Sequence, residues 1–319
     1  MKIKIPYTPR KEQAVLHKSL PSYRYALLLC HRRFGKTTCA LNHLIRAALT
    51  NKNFNPRYAY ISPTYKQSKS IAWDFLKFYA GKIPGVKFNE TELRVDFPNA
   101  SRITLLGSES VDSLRGNYYD GVFIDETSFI PASLIEEILI PSLSDRRGFM
   151  YLVGTPSGMN NIFYTYYLKA QGDKKWFLYT AKASETNIVD KEELDAALTL
   201  MGEAKYKQEF ECSFIGNVPG SIFGKEVSDL EDKKRITSVP FDPAYMVNTA
   251  WDIGFKDDTA IIFFQDIGHS INLIDCYSNR NQPFPHYAEL LKSKPYIYGK
   301  HYGPFDLETT DFSGSGRTR

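Results

Sequence analysis

The sequence lacks long hydrophobic runs, and it contains few cysteines. Its longest apolar stretches, such as Tyr25–Cys30 and Ala260–Phe264, are far shorter than the ~20 residues that a membrane-spanning helix needs, so we expect no membrane partner. The charged start MKIKIPYTPR is followed by no apolar segment, which argues against a secretory signal peptide. The four cysteines show no CxxC spacing. This pattern predicts reduced thiols, a cytoplasmic location and no zinc site.

Acidic residues are scarce at the start of the chain. Up to Arg57 the sequence has 12 basic residues and a single acid, Glu12, although the whole chain carries a net charge of only +4. Such a cationic segment fits a surface that faces phosphates, and it also fits an ordinary solvated basic face. The length of 319 residues predicts about two domains.

Strand-like and helix-like segments alternate in the first two thirds of the chain. The strand candidates are Tyr23–Cys30, Tyr58–Ile61, Ile103–Leu106, Gly121–Asp125 and Met150–Gly154, and the helix candidates are Lys36–Leu49, Gln67–Tyr79, Lys191–Met201 and Glu203–Glu211. This alternation predicts an α/β fold with a largely parallel sheet and helices on both of its faces.

A segment rich in glycine and proline, GNVPGSIFG, separates this part from a second unit. The second unit is predicted as the strands Met246–Trp251, Thr259–Gln265 and Ser270–Tyr277, the helix Pro285–Lys292 and the strand Tyr296–Tyr302. We therefore predict a first domain at 1–215, a linker at 216–244 and a smaller α/β domain at 245–319.

The segment CHRRFGKTT lies directly after the first strand and directly before a helix. It matches the P-loop pattern GxxxxGK[ST] except that Cys30 replaces the first glycine. In such a loop the backbone N–H groups around Gly35 cradle phosphates. Lys36 would neutralise the β and γ oxygens of ATP, and the Thr37 hydroxyl would bind Mg²⁺.

A second apolar strand, GVFIDE, ends in two acids. Asp125 fits the acid that holds Mg²⁺ at the end of a Walker B strand. Glu126 fits the general base that activates the attacking water. A strand followed by a solvated acidic turn would look the same, but the two motifs together predict a P-loop NTPase.

Further polar residues fit the same site. Gln13 precedes the first strand and is a candidate for a hydrogen bond to the adenine edge, or else an ordinary surface glutamine. Thr155, in VGTPSG, is a candidate sensor of the γ-phosphate, or else part of a simple turn. Arg32 and Arg115 are candidate catalytic arginines, although either would also fit the surface or a DNA contact. The remaining expected ATP contacts are Arg33 and Thr38.

The ordered set of motifs resembles the large terminase subunit of tailed bacteriophages. The segments that carry this resemblance are PYTPRKEQ, HRRFGKTT, ISPTYKQSKSIAW, SLRG, FIDE and VGTPSG. In that family the first glycine of the phosphate loop is often replaced. The resemblance covers nearly the whole chain, and it implies an ATP-driven motor that packages double-stranded DNA into procapsids. It also implies a portal, a small terminase subunit, a homo-oligomeric ring and the cytoplasm of an infected or lysogenic bacterial host.

The second unit resembles the start of an RNase H-like nuclease. In that fold, carboxylates bind two divalent ions, Mg²⁺ or Mn²⁺, that cut a phosphodiester. The resemblance implies Asp252, in the segment WDIGFKDDTA, as the first metal ligand and Asp306 as the second. A third carboxylate would follow later than Arg319, so the nuclease is expected to be incomplete. Asp257 and Asp258 also fit turn-forming residues.

Two other functions fit parts of the same pattern. One is a helicase-like P-loop protein that remodels DNA, and the other is a non-catalytic prophage remnant. The acids Asp252 and Asp306 favour the terminase over a helicase, because helicases usually carry a second P-loop-like domain in that place.

Overall fold

The computed structural model describes residues 5–109, 115–214, 226, 229–230, 233, 235–254 and 257–304. The chain divides into two compact units, Met1–Ser228 and Asp229–Arg319. The predicted linker at 216–244 lies partly outside the described residues, and the predicted domain boundaries stay a prediction.

The larger unit alternates strands with helices. Its strands are β1 (Tyr25–Cys30), β2 (Arg57–Ser62), β3 (Lys87–Asn89), β4 (Arg94–Asp96), β5 (Arg102–Gly107), β6 (Gly121–Ile124), β7 (Phe149–Gly154) and β8 (Trp176–Ala181). Its helices are α1 (Lys11–Ser19), α2 (Lys36–Thr50), α3 (Tyr65–Gln67, Ser68–Trp73 and Asp74–Ala80), α4 (Leu134–Leu139 and Ile140–Ser144), α5 (Ile162–Gly172), α6 (Ala183–Thr186), α7 (Lys191–Met201) and α8 (Glu203–Phe210). The Ser68–Trp73 and Leu134–Leu139 segments are π-helical.

These strands form one sheet in the order β3-β4-β5-β2-β6-β7-β1-β8. The strands from β5 to β8 in this order are parallel, and β3 and β4 extend the sheet as antiparallel strands. The carboxyl ends of parallel strands lie along one edge of a sheet, where ligands of open α/β folds bind. Because β6, β7 and β1 are consecutive in the sheet, the residues that follow them meet at that edge.

Hydrophobic clusters cover both faces of this sheet. Successive residues of a strand point to opposite faces. Leu28 therefore packs in one cluster, with Leu44 of α2, while Leu27 and Leu29 pack in the other, with Phe163 of α5. Burial on both faces explains the nearly continuous apolar sequence of β1, and it confirms the predicted α/β fold.

The smaller unit contains β9 (Val247–Asp252), β10 (Thr259–Asp266), β11 (Ile271–Asn279), α9 (Phe284–Ser293) and β12 (Tyr298–Tyr302). The sheet order is β11-β10-β9-β12. Strand β10 pairs antiparallel with β9 and β11, whereas β12 pairs parallel with β9. The apolar cluster of this unit is built on the buried residues Val247, Ile261, Phe263 and Tyr287.

The predicted strands and helices are confirmed, with ends that shift by one to a few residues. The predicted helix at 67–79, for example, runs from Tyr65 to Ala80. The elements that were not predicted from the sequence are the first helix α1, the hairpin β3–β4, the helices α4, α5 and α6, and the strand β8.

Candidate nucleotide-binding site

The loop between β1 and α2 turns sharply before the helix begins. Arg33 and Gly35 both have left-handed backbone, with φ angles of +71° and +87°, and α2 starts at Lys36. The unpaired N–H groups of the first helical turn therefore face the loop, as in an anion site at a helix N-terminus. Cys30 stands where the P-loop pattern has its first glycine, and it is fully buried as the last residue of β1.

Gln13 of α1 holds this loop in place through hydrogen bonds to its backbone, and we call this contact the brace. Its side-chain Nε2 donates to the carbonyl oxygens of Phe34 (3.4 Å) and Gly35 (3.1 Å). Its Oε1 accepts from the backbone N–H of Arg10 at 3.0 Å, and Gln13 is only 3% exposed. Arg10 Nη1 adds bonds of 3.0 Å to the carbonyls of Arg33 and Phe34. Gln13 thus fixes the loop backbone, and the predicted adenine contact stays a prediction.

The Lys36 ammonium lies where the ends of three strands meet. Its Nζ donates to Thr155 Oγ1 at 2.7 Å and lies 3.6 Å from Glu126 Oε1. Thr155, after β7, in turn donates to the carbonyl of Cys30 at 3.2 Å. The structure therefore brings three predicted site residues, Lys36, Thr155 and Glu126, into direct contact.

Asp125 is a buried carboxylate, 4% exposed, directly after β6. Its Oδ2 accepts from Thr37 Oγ1 at 3.1 Å and from the hydroxyl of Tyr60. Its Oδ1 accepts from the backbone N–H of Glu126 at 2.9 Å. Burial raises the pKa of Tyr60 well above its ordinary value, and the nearby Asp125 carboxylate acts in the same direction.

Glu126 has an unusual backbone conformation, with a φ of +48° in the left-handed region. Left-handed backbone outside glycine is uncommon and clusters at functional sites. Burial raises the pKa of the half-buried Glu126 side chain. The Lys36 ammonium opposes this rise, and the Asp125 carboxylate adds to it.

Arg32 is tied to α8. Its backbone N–H donates to the carbonyl of Glu209 at 2.8 Å, and its Nη1 lies 3.3 Å from Glu209 Oε2. The preceding residue, His31, donates its N–H to the carbonyl of Ala181 in β8 at 3.0 Å. The His31 Nε2 lies 2.9 Å from Thr186 Oγ1 in α6. The phosphate loop is thus bonded to β8, α6 and α8.

The other predicted arginines and Thr38 occupy separate places. Arg33 is exposed in the loop itself. Thr38 lies in the first turn of α2, and its carbonyl accepts from Asn42 at 2.9 Å. Arg115 lies on the surface, with its Nη2 3.3 Å from Glu137 of α4. Arg115 and Arg32 therefore pair with different helices.

Thr37 and Asp125 supply a hydroxyl and a carboxylate from neighbouring points, and hard oxygen donors of this kind fit Mg²⁺. Over the described part of the chain, no group of three or more His, Cys, Asp or Glu side chains is placed to hold a metal. Mg²⁺ in proteins is usually held by one or two carboxylates together with phosphate oxygens of the substrate. A magnesium ion at this site would therefore take some of its ligands from the protein and the others from a bound nucleotide.

The predicted nuclease residues lie in the smaller unit. Asp252 is exposed at the carboxyl end of β9. Asp306 lies outside the described residues. Strand β12 runs parallel to β9, with His301 opposite Thr249 and Tyr302 opposite Ala250. Asp258 forms an ion pair of 2.7 Å with Arg280 instead.

Sequence reasoning missed two residues of the nucleotide site, Arg10 and Tyr60. Arg10 stands within the motif that precedes the first strand, so its position gave a signal. Tyr60 gave no such signal, because its contact with Asp125 depends on strand order.

A cavity of about 600 Å³ opens elsewhere, at the amino ends of the strands, with Arg24, Arg46 and Tyr151 in its lining. It contains no residue of the phosphate loop.

The family described as "Terminase large subunit, T4likevirus-type, N-terminal" matches residues 27–228. The chain belongs to this family. The matched range includes Lys36, Asp125, Glu126 and Thr155, the residues that meet at the edge of the sheet. The resemblance inferred from the sequence motifs is thereby confirmed.

Several known terminases are similar to this chain. The large terminase subunit of Thermus virus P23-45 is 28% identical over 181 residues, which cover 51% of this chain and 36% of that relative. The chain therefore spans about a third of the length of the curated relative. The large terminase ATPase domain of Thermus phage P74-26 is similar in structure, with a TM-score of 0.58 and 21% identity over 66% of this chain and 95% of that domain.

A large terminase from another thermophilic bacteriophage, solved in complex with ADP, shares the fold over a longer range. Its TM-score is 0.55, and it is 15% identical over 91% of this chain and 76% of the phage protein. At these identities the solved structures support the fold of a large terminase.

Among the helices that the structure describes, none has both the length and the apolar character to cross a lipid bilayer.

Proposed function

We propose that this chain is an ATP-hydrolysing motor subunit that packages double-stranded viral DNA into procapsids. The observation that carries the proposal is the meeting of Lys36, Asp125, Glu126 and Thr155 behind a phosphate loop at one edge of the sheet. This arrangement has the parts of a P-loop NTPase, in which catalysis consists of positioning and charge stabilisation. Membership of the terminase family supports DNA packaging as the purpose of hydrolysis.

Each residue has a chemical role in this proposal. The N–H groups at the start of α2 would bind the β-phosphate, and the Lys36 ammonium would exchange its contact with Thr155 for phosphate oxygens. Glu126 would accept a proton from the attacking water. The Lys36–Glu126 contact of 3.6 Å puts the proposed base beside the charge that binds phosphate.

Magnesium would be held by Thr37 and Asp125, the two oxygen donors that lie 3.1 Å apart. When bound, the ion supplies positive charge that neutralises phosphate oxygens. Arg32 and Arg115 remain the candidates for a charge-stabilising arginine. Arg32 lies in the phosphate loop and would act within its own subunit. Arg115 is exposed and paired with Glu137, and it would exchange this partner to act on a neighbour in a ring.

The partners proposed for the motor are those that the resemblance to large terminases implies. They are double-stranded DNA, a portal on the procapsid, a small terminase subunit and further copies of this chain in a ring. The basic segment up to Arg57, with 12 basic residues and one acid, supports a contact with DNA phosphates. The host cytoplasm is the proposed location.

We also propose that the smaller unit is part of a metal-dependent nuclease. Asp252 ends β9, and Asp306 follows β12 by four positions along the chain. Because β9 and β12 are parallel neighbours, their carboxyl ends lie at one edge, which supports a shared Mg²⁺ or Mn²⁺ between these acids.

The motor is tested by measuring ATP hydrolysis with and without double-stranded DNA. We expect Glu126→Gln to lower turnover about 10²- to 10⁴-fold while ATP binding persists, because the change removes a base and leaves the phosphate cradle. Lys36→Ala should reduce binding as well, because phosphate loses its cationic partner.

Matched controls are Lys174→Ala and Glu193→Gln, which change exposed side chains of the same types outside the site and outside the basic segment. Near-normal hydrolysis by Lys36→Ala or Glu126→Gln would overturn the P-loop assignment. A rate of hydrolysis that is the same with and without DNA would indicate a nucleotide-binding remnant rather than a motor. Packaging of DNA into procapsids would distinguish a terminase from a helicase-like protein.

A further inference from the structure

Tyr60 sits in the middle of β2 and is buried to 2% exposure. Strand β2 lies beside β6 in the sheet, with Tyr60 opposite Phe123 and Ile61 opposite Ile124. The pairing continues for one residue beyond β6, since the N–H of Asp125 donates to the carbonyl of Ile61 at 2.8 Å. In this register Tyr60 lies opposite the residue two positions before Asp125, so the side chains of Tyr60 and Asp125 lie on the same face of the sheet.

The hydroxyl of Tyr60 donates to Asp125 Oδ2. A buried core position favours an apolar ring, and a phenol there needs a hydrogen-bond partner. The partner in this case is the carboxylate proposed to hold Mg²⁺. A bond from a neutral donor to a charged oxygen is stronger than one between neutral groups.

Asp125 accepts hydrogen bonds from three donors, and binding of a metal–nucleotide complex would break some of these bonds and not others. Thr37 Oγ1 donates to the same Oδ2 at 3.1 Å, but its hydroxyl is the group proposed to turn toward the metal. The backbone N–H of Glu126 holds the other oxygen, Oδ1, at 2.9 Å. Tyr60 would therefore keep Oδ2 in place after Thr37 has turned away.

We propose that Tyr60 is a positioning residue for the divalent metal, because its hydroxyl holds the Asp125 carboxylate in the orientation that a metal–nucleotide complex requires. The inference rests on the proposed function, since it needs Asp125 to serve a metal. Groups that orient metal ligands typically change metal affinity or activity by ~10–100-fold when they are removed.

The test compares Tyr60→Phe with Tyr58→Phe. Tyr58 is two residues earlier on the same strand and therefore points to the same face. It is buried to 3% exposure, and its hydroxyl bonds to Asn51 Nδ2 at 2.8 Å and to the carbonyl of Ala47 at 3.2 Å. Each variant thus removes one buried, hydrogen-bonded hydroxyl from β2, but only one of the two touches Asp125.

Binding of a fluorescent ATP analogue is titrated with Mg²⁺, and its affinity is also measured in excess chelator. Tyr60→Phe should raise the Mg²⁺ concentration for half-maximal binding about 10-fold or more. Its affinity without Mg²⁺ should match that of the wild type, because the phosphate loop is unchanged. Tyr58→Phe should leave both quantities unchanged, and thermal unfolding should show that both variants are folded.

Equal Mg²⁺ requirements in Tyr60→Phe and the wild type would overturn the inference and leave the proposed function intact. Equal increases in both variants would also overturn it, because the effect would then come from loss of any buried hydroxyl in β2. If the wild type binds the analogue without any response to Mg²⁺, the proposed function fails, and the role of Tyr60 fails with it.

Discussion

Gly35 meets two constraints at one residue. Its φ of +87° lies in the left-handed region, which disfavours any side chain with a Cβ by about 1–2 kcal/mol. A Cβ built there would also lie 2.8 Å from Gln13 Nε2, the amide that braces the loop. Glycine is therefore needed for the backbone turn and for the brace together.

We expect Gly35→Ala to weaken nucleotide binding more than backbone strain alone explains, because Gln13 must give up its bonds to the loop. Nucleotide affinity and thermal unfolding are the measurements. Gly268→Ala is the control, since Gly268 also has a φ of +87° but has no atom within 4 Å of a built Cβ. Nucleotide affinity equal to that of the wild type in Gly35→Ala would contradict the brace.

At the scale of residues, the sequence predicted those site residues that come directly after a strand. Lys36 and Asp125 stand directly after apolar strands, and the carboxyl ends of parallel strands share an edge, so their neighbourhood was predictable. The hydrogen bonds from the Gln13 amide to the phosphate loop were not predictable, because they depend on how α1 packs against the loop. The same holds for Tyr60, whose contact requires the β2–β6 register.

At the scale of elements, α1 and α2 are joined through a pair of histidines, of which one is half-buried and the other buried. The rings of His17 in α1 and His43 in α2 are stacked, with their Nδ1 atoms 3.3 Å apart. Burial, together with the nearby Arg46 cation, lowers the pKa of His17 to about 4. Burial, with smaller contributions from His17 and Arg46, lowers the pKa of His43 to about 3. Because both pKa values lie well below 7, both rings are neutral in the folded protein near pH 7.

Acid should destabilise this contact between α1 and α2. The folded-state pKa values lie below the ordinary value of about 6.5, so the unfolded chain takes up protons first as the pH falls from about 6.5 toward 4. Each histidine then lowers the free energy of unfolding by about 1.4 kcal/mol per pH unit. His43→Phe, which keeps a ring among Phe123, Phe149 and Tyr151, should make that loss shallower.

Denaturant unfolding of the larger unit between pH 7 and pH 5 measures this loss. His269→Gln, which changes an exposed histidine in the turn between β10 and β11, serves as the control and should retain the wild-type slope. An identical slope in His43→Phe and the wild type would show that His43 does not contribute to acid sensitivity.

The elements differed in how well sequence predicts them. Strands β1, β6 and β7 are buried on both faces, so their apolar runs are continuous and easy to recognise. Strand β8 lies at the end of the sheet and is only half-buried along most of its length, which leaves a weaker pattern. The hairpin β3–β4 consists of strands of three residues each, too short for a periodic signal.

At the scale of the whole molecule, the two units differ in the size of their cores. The larger unit has extensive apolar clusters on both faces of its sheet. Among its described residues, the smaller unit is built on four buried apolar residues, Val247, Ile261, Phe263 and Tyr287. Its terminal strand β11 also exposes Ile271 and Leu273. Burial of less apolar surface gives the smaller unit less stabilisation.

Limited proteolysis should therefore remove the smaller unit first. We expect a trypsin time course to end at a fragment that keeps β1 through α8 and terminates near the predicted linker at 216–244. Mass spectrometry of the products identifies the cut sites. Survival of a fragment that contains β9 to β12 after the larger unit has been degraded would reverse the predicted order of stability.

The bonds of the phosphate loop to α8 have a mechanical consequence. Arg32 is held by the backbone of Glu209 in α8, and the neighbouring His31 is held by the backbone of Ala181 in β8. Any displacement of the loop must therefore either break these bonds or carry α8 with it. In the second case a movement that bound phosphate causes in the loop would also move α8.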